Sequence, residues 1–261
     1  MSEIIKWEHI LRGFTKIGLH EFGDDRFAER KDRKFPVSIY DIPKVLPGLE
    51  KHYSLICPEG NEVSTIETKY FDTENFDFFR QHHRGRSVRR KVRIRRYVET
   101  DTSFLEIKRK NVKGRTLKHR ISVVSAKPVL DDRGNQFLKS RGVSETDTIH
   151  PVLKVVYDRL SFLSEDQDER FSVDFNVRFS DGQRKGDFGK LAIFEVKQSK
   201  IETTPVIKAL RKNRISERSI SKYCLSLCQV NSELKANRFK PVLRNLQALI
   251  HEKKSQSETL A

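Results

Sequence analysis

The stretch that decides the fold of this chain runs Arg89-Arg90-Lys91-Val92-Arg93-Ile94-Arg95-Arg96-Tyr97. Side chains alternate along a β-strand, so every second residue from Arg89 to Tyr97 shares one face, while Val92 and Ile94 lie on the other. Like charges in a row on one face repel each other unless water or an anion lies against them. The stretch therefore predicts a strand with one face on a core and the other against water or an anion.

The same alternation recurs in residues 103–110, 116–120, 152–162, 170–178 and 191–198. In residues 170–178 the polar face comprises Arg170, Ser172, Asp174, Asn176 and Arg178, and the apolar face comprises Phe171, Val173, Phe175 and Val177. One such strand is typical of an open sheet with a solvated face. Because five or six strands each contribute Lys or Arg, we favour a closed barrel with a polar lumen and an apolar exterior covered by helices.

The remaining segments are mostly helical in pattern. Apolar spacing predicts helices over residues 3–22 and 42–56 and a C-terminal helix over 234–252 with one stripe of apolar side chains. The stripe consists of Phe239, Val242, Leu243, Leu246 and Ile250. The glycine-containing segment 182–189 lacks the lysine-serine ending of a phosphate-binding P-loop and is interpreted as a hairpin loop. No internal repeat or low-complexity linker divides the chain, which favours one domain.

Composition limits the classes of partner. The 261 residues carry a net charge of +16, with 36% hydrophobic and 34% charged residues, which indicates an anionic partner. That partner could be a nucleic acid, an anionic membrane or a phosphorylated small molecule. Zinc-finger spacing and RNA-binding aromatic motifs are missing from the sequence, which disfavours nucleic acid.

Cysteine content and hydropathy indicate the compartment. Three cysteines give no disulfide framework, which fits a reducing compartment. No apolar run approaches the length of a membrane span, and the N-terminus lacks the pattern of a signal peptide. We expect a cytoplasmic protein, and a peripheral position at the inner membrane stays open. Cys224 and Cys228 fit a core helix face better than a metal pair, and His82 and His83 are expected to be solvated.

Six motifs, in order, resemble the VTC polyphosphate polymerase domain, a family of the triphosphate tunnel metalloenzymes. They are the run 89–97, Phe104-Leu105-Glu106-Ile107-Lys108, Tyr157-Asp158-Arg159, Arg170-Phe171-Ser172-Val173-Asp174, Phe194-Glu195-Val196-Lys197 and Ser221-Lys222-Tyr223. The resemblance covers roughly residues 32–240. It implies an α+β fold: an antiparallel eight-stranded β tunnel barrel with a polar basic lumen, flanked by helices at both termini.

The resemblance also implies a division of the chain, which looks like the compact bacterial version of the family. An N-terminal helix over 1–24 precedes the tunnel domain over 25–230, and a C-terminal helix and tail over 231–261 pack on the barrel. Arg30 and Asp32 occupy positions that hold two glutamates in the adenylate cyclase and thiamine-triphosphatase branch, which argues against that branch. Ser219 stands where the polymerases carry a basic residue.

Site residues follow from the resemblance and from the strand faces. The candidate catalytic residues are Arg93, Arg95, Lys108, Arg159, Arg170 and Glu195. The candidate phosphate-binding residues are Lys34, Arg89, Lys91, Lys118, Lys197 and Lys222. Glu195 is the candidate ligand of Mn²⁺ or Mg²⁺, since these hard cations prefer oxygen. Glu106 is either a second metal ligand or an ion-pair partner of Lys108 or Arg93.

The leading hypothesis is metal-dependent transfer of the γ-phosphoryl group of ATP to a polyphosphate chain end. The cationic tunnel would position the two substrates and neutralise the charge of their phosphates. Hydrolysis of inorganic or nucleoside triphosphate on the same fold is the first alternative. A non-catalytic module that binds polyphosphate or RNA is the second. The expected partners are ATP and polyphosphate or triphosphate, and a membrane protein partner stays open.

Overall fold

The computed structural model describes residues 7–19, 31–110, 112, 116–124, 130–166 and 168–258, with side chains described as far as residue 250. Its strands are β1 (Lys16–Ile17), β2 (Lys31–Ser38), β3 (Tyr53–Ile56), β4 (Ser64–Asp72), β5 (Arg89–Tyr97), β6 (Thr102–Lys110), β7 (Thr116–Ser122), β8 (His150–Ser164), β9 (Glu169–Ser180), β10 (Lys185–Asp187) and β11 (Leu191–Gln198). Its α-helices are α1 (Trp7–Leu11), α2 (Ile42–Val45), α3 (Asp77–His83), α4 (Asp132–Ser140), α5 (Pro205–Lys212), α6 (Lys222–Val230) and α7 (Lys240–Glu258).

Eight strands form one continuous antiparallel path in the order β2-β11-β9-β8-β4-β5-β6-β7. The predicted antiparallel fold of eight strands with helices at both termini is confirmed. The sheet is a curled half-barrel, and within the described residues its edge strands β2 and β7 are not paired with each other. Across the gap between these edges, Lys108 Nζ of β6 lies 3.5 Å from Asp32 Oδ2 of β2. The structure therefore differs from the predicted closed barrel at this one place, where backbone pairing between β2 and β7 is missing from the described residues.

The convex face of the sheet is covered by helices, as the alternation predicts. Phe171, Val173 and Val196 point outward from β9 and β11 into a buried cluster that includes residues of α1, α2 and α5. On the neighbouring strands, Val92 and Leu105 point outward into a second cluster with α3 and α4. Burial of these side chains supplies the main driving force for folding the sheet.

The concave face has an apolar half, which we define by the inward side chains Leu153, Val155, Val177, Phe179, Leu191 and Ile193. Helix α6 fills it with Tyr223, Cys224 and Leu227, and the predicted stripe of the C-terminal helix α7 packs against the same cluster. Cys224 is fully buried and Cys228 is partly buried, which confirms the core-face interpretation of both cysteines. Helices α6 and α7 therefore occupy one half of the concave side of the sheet.

A β-bulge changes the predicted alternation on β9. The pairing of β8 with β9 shifts between Val156 and Asp158, and Asn176 adopts a left-handed backbone conformation at φ 51°. A bulge places two residues opposite one and reverses the side-chain order beyond it. Consequently Val177 points inward to α6, whereas Asn176 and Arg178 are exposed, so the prediction that they share a face with Asp174 is wrong.

Two predicted helices are also corrected within the described residues. The helix expected over 3–22 ends at Leu11 and gives way to β1, and the C-terminal part of the helix expected over 42–56 is the strand β3. Leu55 N donates to Thr15 O and Cys57 N donates to Ile17 O, which joins the two segments. Backbone pairing with β8 and β1 therefore overrides a helical apolar spacing. The predicted hairpin loop over 182–189 is confirmed, because β10 pairs with β9 there.

Candidate functional site

The other half of the concave face encloses a cavity of about 310 Å³. Eleven basic side chains line it, and we call this set the cationic half: Lys34, Lys91, Arg93, Arg95, Lys108, Lys118, Arg120, Arg159, Arg170, Lys197 and Lys222. Glu99 and Glu195 are the two carboxylates among the described lining residues. Seven of the sheet's strands and the N-terminus of α6 supply these charges, so the curl of the sheet is what brings them together.

The cavity gathers ten of the sequence-predicted cationic residues and Glu195. Arg89 and Glu106 are the two exceptions, since neither lines the cavity. Arg89 Nη1 instead donates to the carbonyl of Arg86 at 3.2 Å. Arg120 was missed among the site residues, although its alignment with Lys118 on β7 was a usable signal.

Glu106 is a fully buried counter-ion. Its Oε2 accepts from Arg93 Nε at 2.7 Å and lies 2.5 Å from Arg93 Nη2, while its Oε1 lies 2.8 Å from Lys118 Nζ. Burial alone would raise the pKa of Glu106, but Arg93, Arg95 and Lys118 hold that pKa well below its usual range. The structure thus favours the ion-pair interpretation, with Lys118 rather than Lys108 as the second partner. Glu106 orients Arg93 and offers no oxygen to the cavity.

A second buried carboxylate holds Arg159. Asp174 accepts from Arg159 Nε at 2.6 Å and from Nη2 at 2.9 Å, a bidentate pair, and it also accepts from Lys222 Nζ. Burial acts against ionisation, but Arg159 and Lys222 lower the pKa of Asp174 to about 2. Asp174 was not among the predicted site residues, although it ends the motif Arg170-Phe171-Ser172-Val173-Asp174. Its role in the structure is to fix two cations from different elements in one position.

Glu195 is the remaining candidate for a metal ligand. Its carboxylate lines the cavity and lies 3.8 Å from Arg159 Nη2. Burial would raise the pKa of Glu195, but Lys34, Lys197, Arg159 and Lys222 keep it well below its usual range. Among the residues that the structure describes, no group of three His, Cys, Asp or Glu side chains could hold a metal by itself. Such a donor set fits Mg²⁺ or Mn²⁺ that arrives with phosphate oxygens, because these ions often use only one or two carboxylates.

Several basic side chains of the cavity have few hydrogen-bond or ion-pair partners among the described residues. The Nε atom of Arg95 is buried without a hydrogen-bond partner in the described part of the chain. Burial lowers the pKa of Lys91 to about 8, and within the described residues its Nζ donates to the Ser221 hydroxyl alone, at 2.9 Å. Burial also lowers the pKa of Lys108 to about 8, although Asp32 opposes the change. These groups are electrostatically strained, and an anion in the cavity would relieve them.

The adjacent histidines lie outside this site. Both are half-buried rather than solvated, and His82 Nε2 lies 3.2 Å from the carbonyl of Arg90. Burial, with help from Lys91 and Arg89, lowers the pKa of His82 to about 2. The expectation of solvated histidines is therefore wrong, and His82 has a packing role on α3.

The model of the VTC domain family matches residues 29–231, which include every strand from β2 to β11 and helix α6. No curated protein matches the sequence. No helix of the described residues has both the length and the apolar content needed to cross a membrane.

Solved structures with a similar fold include three enzymes or candidate enzymes. A candidate adenylate cyclase from Vibrio parahaemolyticus shares 14% identity over 76% of this chain and 98% of that one, with a TM-score of 0.47. A candidate adenylate cyclase from Bacillus halodurans shares 17% identity over 81% and 98%, with a TM-score of 0.47. A candidate adenylyl cyclase from Hippeastrum that has a dominant triphosphatase activity shares 14% identity over 79% and 99%, with a TM-score of 0.48.

Proposed function

The chain belongs to the VTC domain family, and from this premise we propose that it transfers the γ-phosphoryl group of ATP to the end of a polyphosphate chain and releases ADP. The observation that carries the proposal is the ratio of eleven basic side chains to two carboxylates around one cavity. A surface that is merely basic would leave its charges in water. Here burial lowers the pKa of two lysines, which an anionic occupant would reverse.

The chain's own residues would act by positioning and charge neutralisation. A terminal oxygen of the acceptor forms a bond to the γ-phosphorus, and the bond from that phosphorus to the β–γ bridging oxygen breaks, so that ADP leaves with the electron pair. Arg93, Arg95 and Arg159 can each present two N–H groups to phosphate oxygens, whereas lysines act as point charges. Such donors stabilise charge that develops on the transferring group.

The ion pairs of the site support this assignment of roles. Arg93 and Arg159 are each held by a buried carboxylate, Glu106 and Asp174 respectively, so they are oriented before a ligand binds. Arg95 has no such carboxylate partner among the residues that the structure describes, and its guanidinium is available to a phosphate. A preorganised set of donors needs little rearrangement when the ligand arrives, which is how a site favours the transition state.

Glu195, together with phosphate oxygens, would hold the divalent metal. The metal would neutralise phosphate charge and polarise the γ-phosphoryl group. Among the described residues, no second carboxylate that lines the cavity joins Glu195 in a metal-binding group, so metal affinity is expected to depend on the nucleotide. This dependence distinguishes the proposed site from one that holds a resident metal.

Triphosphate hydrolysis is the second candidate, and the position of α6 favours it. The helix fills the apolar half of the concave face, and its first residue Lys222 lines the cavity, so a phosphate chain that extends along the cavity toward α6 meets protein. A cavity bounded by a helix on one side suits a short triphosphate as well as a long chain. Both reactions share phosphoryl transfer from a triphosphate in a cationic cavity.

The test is incubation of the full chain with ATP and either Mn²⁺ or Mg²⁺, followed by electrophoresis for long-chain polyphosphate and a colorimetric assay for orthophosphate. Polyphosphate with ADP supports the polymerase. Orthophosphate without polyphosphate supports the hydrolase and contradicts the polymerase. If neither product forms with either metal, the catalytic proposal is wrong and the binding-module alternative gains support.

A pair of variants keeps this test specific. Glu195→Gln retains the shape of the side chain and removes its charge, and we expect a loss of turnover of about 100-fold or more. Glu62→Gln is the matched control, because Glu62 pairs with Lys16 away from the cavity. Equal turnover in both variants would remove Glu195 from the mechanism.

A further inference from the structure

We propose that the buried pair Tyr223–Asp72 positions Lys222 for phosphoryl transfer, although neither residue of the pair lines the cavity. This inference rests on the proposed function, because it names further residues on which that reaction depends. The cavity wall includes the start of α6, where Lys222 is the first residue of the helix and Ser221 is its N-cap. Tyr223 follows directly and is only 2% exposed. The contacts of Tyr223 therefore influence how the helix presents Lys222 to the cavity.

Each of three consecutive residues at the start of α6 binds a different strand. The pairs are Ser221 with Lys91 on β5, Lys222 with Asp174 on β9, and Tyr223 with Asp72 on β4. The Lys222 ammonium also lies 4.6 Å from the ring centroid of Tyr157 on β8. Strands β9, β8, β4 and β5 are consecutive in the sheet. The start of the helix is therefore tied to four neighbouring strands of the curled sheet.

Asp72 is a fixed acceptor at the end of β4. The residue is fully buried. Its Oδ1 accepts from the backbone N–H groups of Thr73 and Phe78 at 2.8 and 2.9 Å. Its Oδ2 accepts from the backbone N–H of Phe79 at 2.9 Å and from the Tyr223 hydroxyl. Because the backbone around the start of α3 holds this carboxylate, the hydroxyl that binds it is held in one place as well.

The ring and the hydroxyl of Tyr223 contribute differently. The ring stacks on Tyr70 with centroids 4.8 Å apart, and it supplies non-directional apolar contact. Burial, together with Asp72, raises the pKa of the Tyr223 hydroxyl well above its usual value, so the hydroxyl remains a donor. A hydrogen bond has a preferred distance and angle, whereas apolar groups of the same shape would stabilise the contact about equally well. The hydroxyl therefore adds direction, since it fixes the rotation of α6 about its axis.

Lys222 has two roles that depend on this rotation. Its Nζ donates to Asp174, which also holds Arg159 through two hydrogen bonds, and its side chain lines the cavity. A small rotation of α6 would move the ammonium relative to Asp174 and to a phosphate in the cavity. A displacement of about 1 Å in a reacting or positioning group can cost a large part of the rate. Tyr223 thus acts on the reaction through its neighbour, without contact with the substrate.

The principal test is Tyr223→Phe, which removes the hydroxyl and keeps the ring. We expect turnover of ATP to fall about tenfold, and the dissociation constant of tripolyphosphate, measured by calorimetry with EDTA present, to rise about threefold. The melting temperature should fall by about 3–6 °C, as for the loss of one buried hydrogen bond. Asp72 stays unchanged in this test, because its carboxylate also accepts from three backbone N–H groups and its loss would destabilise α3 whatever the role of Tyr223.

The chain offers a matched control in a second buried tyrosine–carboxylate pair. Tyr53 is also 2% exposed, and its hydroxyl donates to Glu169 Oε1 at 2.5 Å. This tyrosine packs on Phe171 in the cluster on the convex side of the sheet. Tyr53→Phe should lower the melting temperature by a similar amount. Its turnover and its tripolyphosphate affinity should stay within about twofold of the wild type.

A double variant shows whether Tyr223 acts through Lys222. Lys222→Ala removes the cation, so a residue that only positions this cation has nothing left to act on. We expect Lys222→Ala combined with Tyr223→Phe to match Lys222→Ala alone within about twofold, in turnover and in tripolyphosphate affinity. If the two effects multiply instead, or if Tyr223→Phe behaves as Tyr53→Phe does, Tyr223 is not a positioning residue and the inference is wrong.

Failure of the proposed function has a different signature. If the wild type binds tripolyphosphate but forms neither polyphosphate nor orthophosphate from ATP, the proposed function fails, and the tripolyphosphate affinities of the same variants decide the inference. If the wild type binds no tripolyphosphate either, both are wrong.

Discussion

The two halves of the concave face follow the same strand alternation and end in opposite environments. On β11, Ile193 points into the apolar half and packs against α6, whereas Glu195 and Lys197, two and four residues later, line the cavity. On β8 the same change occurs between Val155 and Arg159. One half is filled by a helix and the other is left open to an anion. A short helix inserted into a curled sheet thus divides a structural interior from a functional one.

Stability and function reside in different halves of the concave face. The apolar half buries side chains that stabilise the fold. The cationic half opposes folding in the absence of ligand, because burial lowers the pKa of Lys91 and Lys108 to about 8. Glu106 and Asp174 offset part of that cost by pairing with the cations. We therefore expect substitutions in the two halves to separate activity from stability.

The largest expected effect is on activity and comes from the cationic half. Arg95→Ala removes a guanidinium whose Nε has no partner, so phosphate loses a donor while the fold loses no ion pair formed with a described residue. We expect turnover of ATP to fall about 10²–10³-fold. The melting temperature should be unchanged or higher, since repulsion with the neighbouring cations is relieved. Steady-state kinetics and thermal unfolding check the two expectations.

Arg96→Ala is the matched control for this variant. Arg96 follows Arg95 on the same strand but pairs outside the cavity, where its Nη2 lies 2.8 Å from Asp101 Oδ1. We expect its turnover to stay within about twofold of the wild type, because exposed ion pairs contribute little. A large drop in the melting temperature of Arg95→Ala would show that Arg95 is structural and would break the contrast between the halves.

The next largest effect is on stability and comes from the apolar half. Leu227 is 1% exposed in the cluster between α6 and the sheet. Leu227→Ala should lower the free energy of unfolding by about 2–5 kcal/mol, through lost burial and a residual cavity. Turnover measured well below the melting temperature should change little. Denaturant unfolding checks this, with the exposed Leu117→Ala as the control, for which we expect a change within about 0.5 kcal/mol.

A loss of turnover in Leu227→Ala without a loss of stability would contradict this division. It would mean that the packing of α6 positions Ser221 and Lys222 closely enough to control the chemistry. The N-cap bond from Cys224 N to Ser221 Oγ and the bond from Lys91 Nζ to the same oxygen are the contacts through which this would act.

Much of this contrast could be predicted from the sequence, because strand alternation is a local property. The outward positions of Val92 and Leu105 and the inward positions of Arg93 and Lys108 are confirmed. The resemblance to the VTC family is confirmed by the match over residues 29–231. These predictions needed only the period of two and the charge pattern.

The failures share one physical cause, which is dependence on contacts distant in sequence. The bulge at Asn176 depends on pairing with β8, and the strand β3 depends on partners in β1 and β8. Whether Glu106 would face a metal or two cations depended on Lys118, which the pairing of β6 with β7 brings next to it. Alternation predicts which side a residue faces, but it does not predict what lies there.

The smallest of the three expected effects is on the pH dependence of binding, and it belongs to the cationic half. Lys108 has a pKa of about 8 in the free protein, lowered first by burial. A bound phosphate favours the charged ammonium and raises that pKa. Affinity is therefore full below pH 8 and is lost as the pH rises from 8 toward the raised value. Between pH 7 and 9 this lysine alone should weaken ATP binding about tenfold.

Lys108→Arg sharpens this expectation, because a guanidinium stays charged throughout the range. The variant should lose the Lys108 share of the pH dependence and keep that of Lys91, whose pKa is also about 8. Calorimetric titration with ATP at pH 7, 8 and 9 and constant ionic strength measures both slopes. The terminal phosphate of ATP can only gain negative charge as the pH rises through this range, which would strengthen binding, so the ligand does not supply the loss of affinity. If the wild type binds equally well at pH 7 and 9, Lys91 and Lys108 do not hold phosphate, and the other cations of the cavity bind it instead.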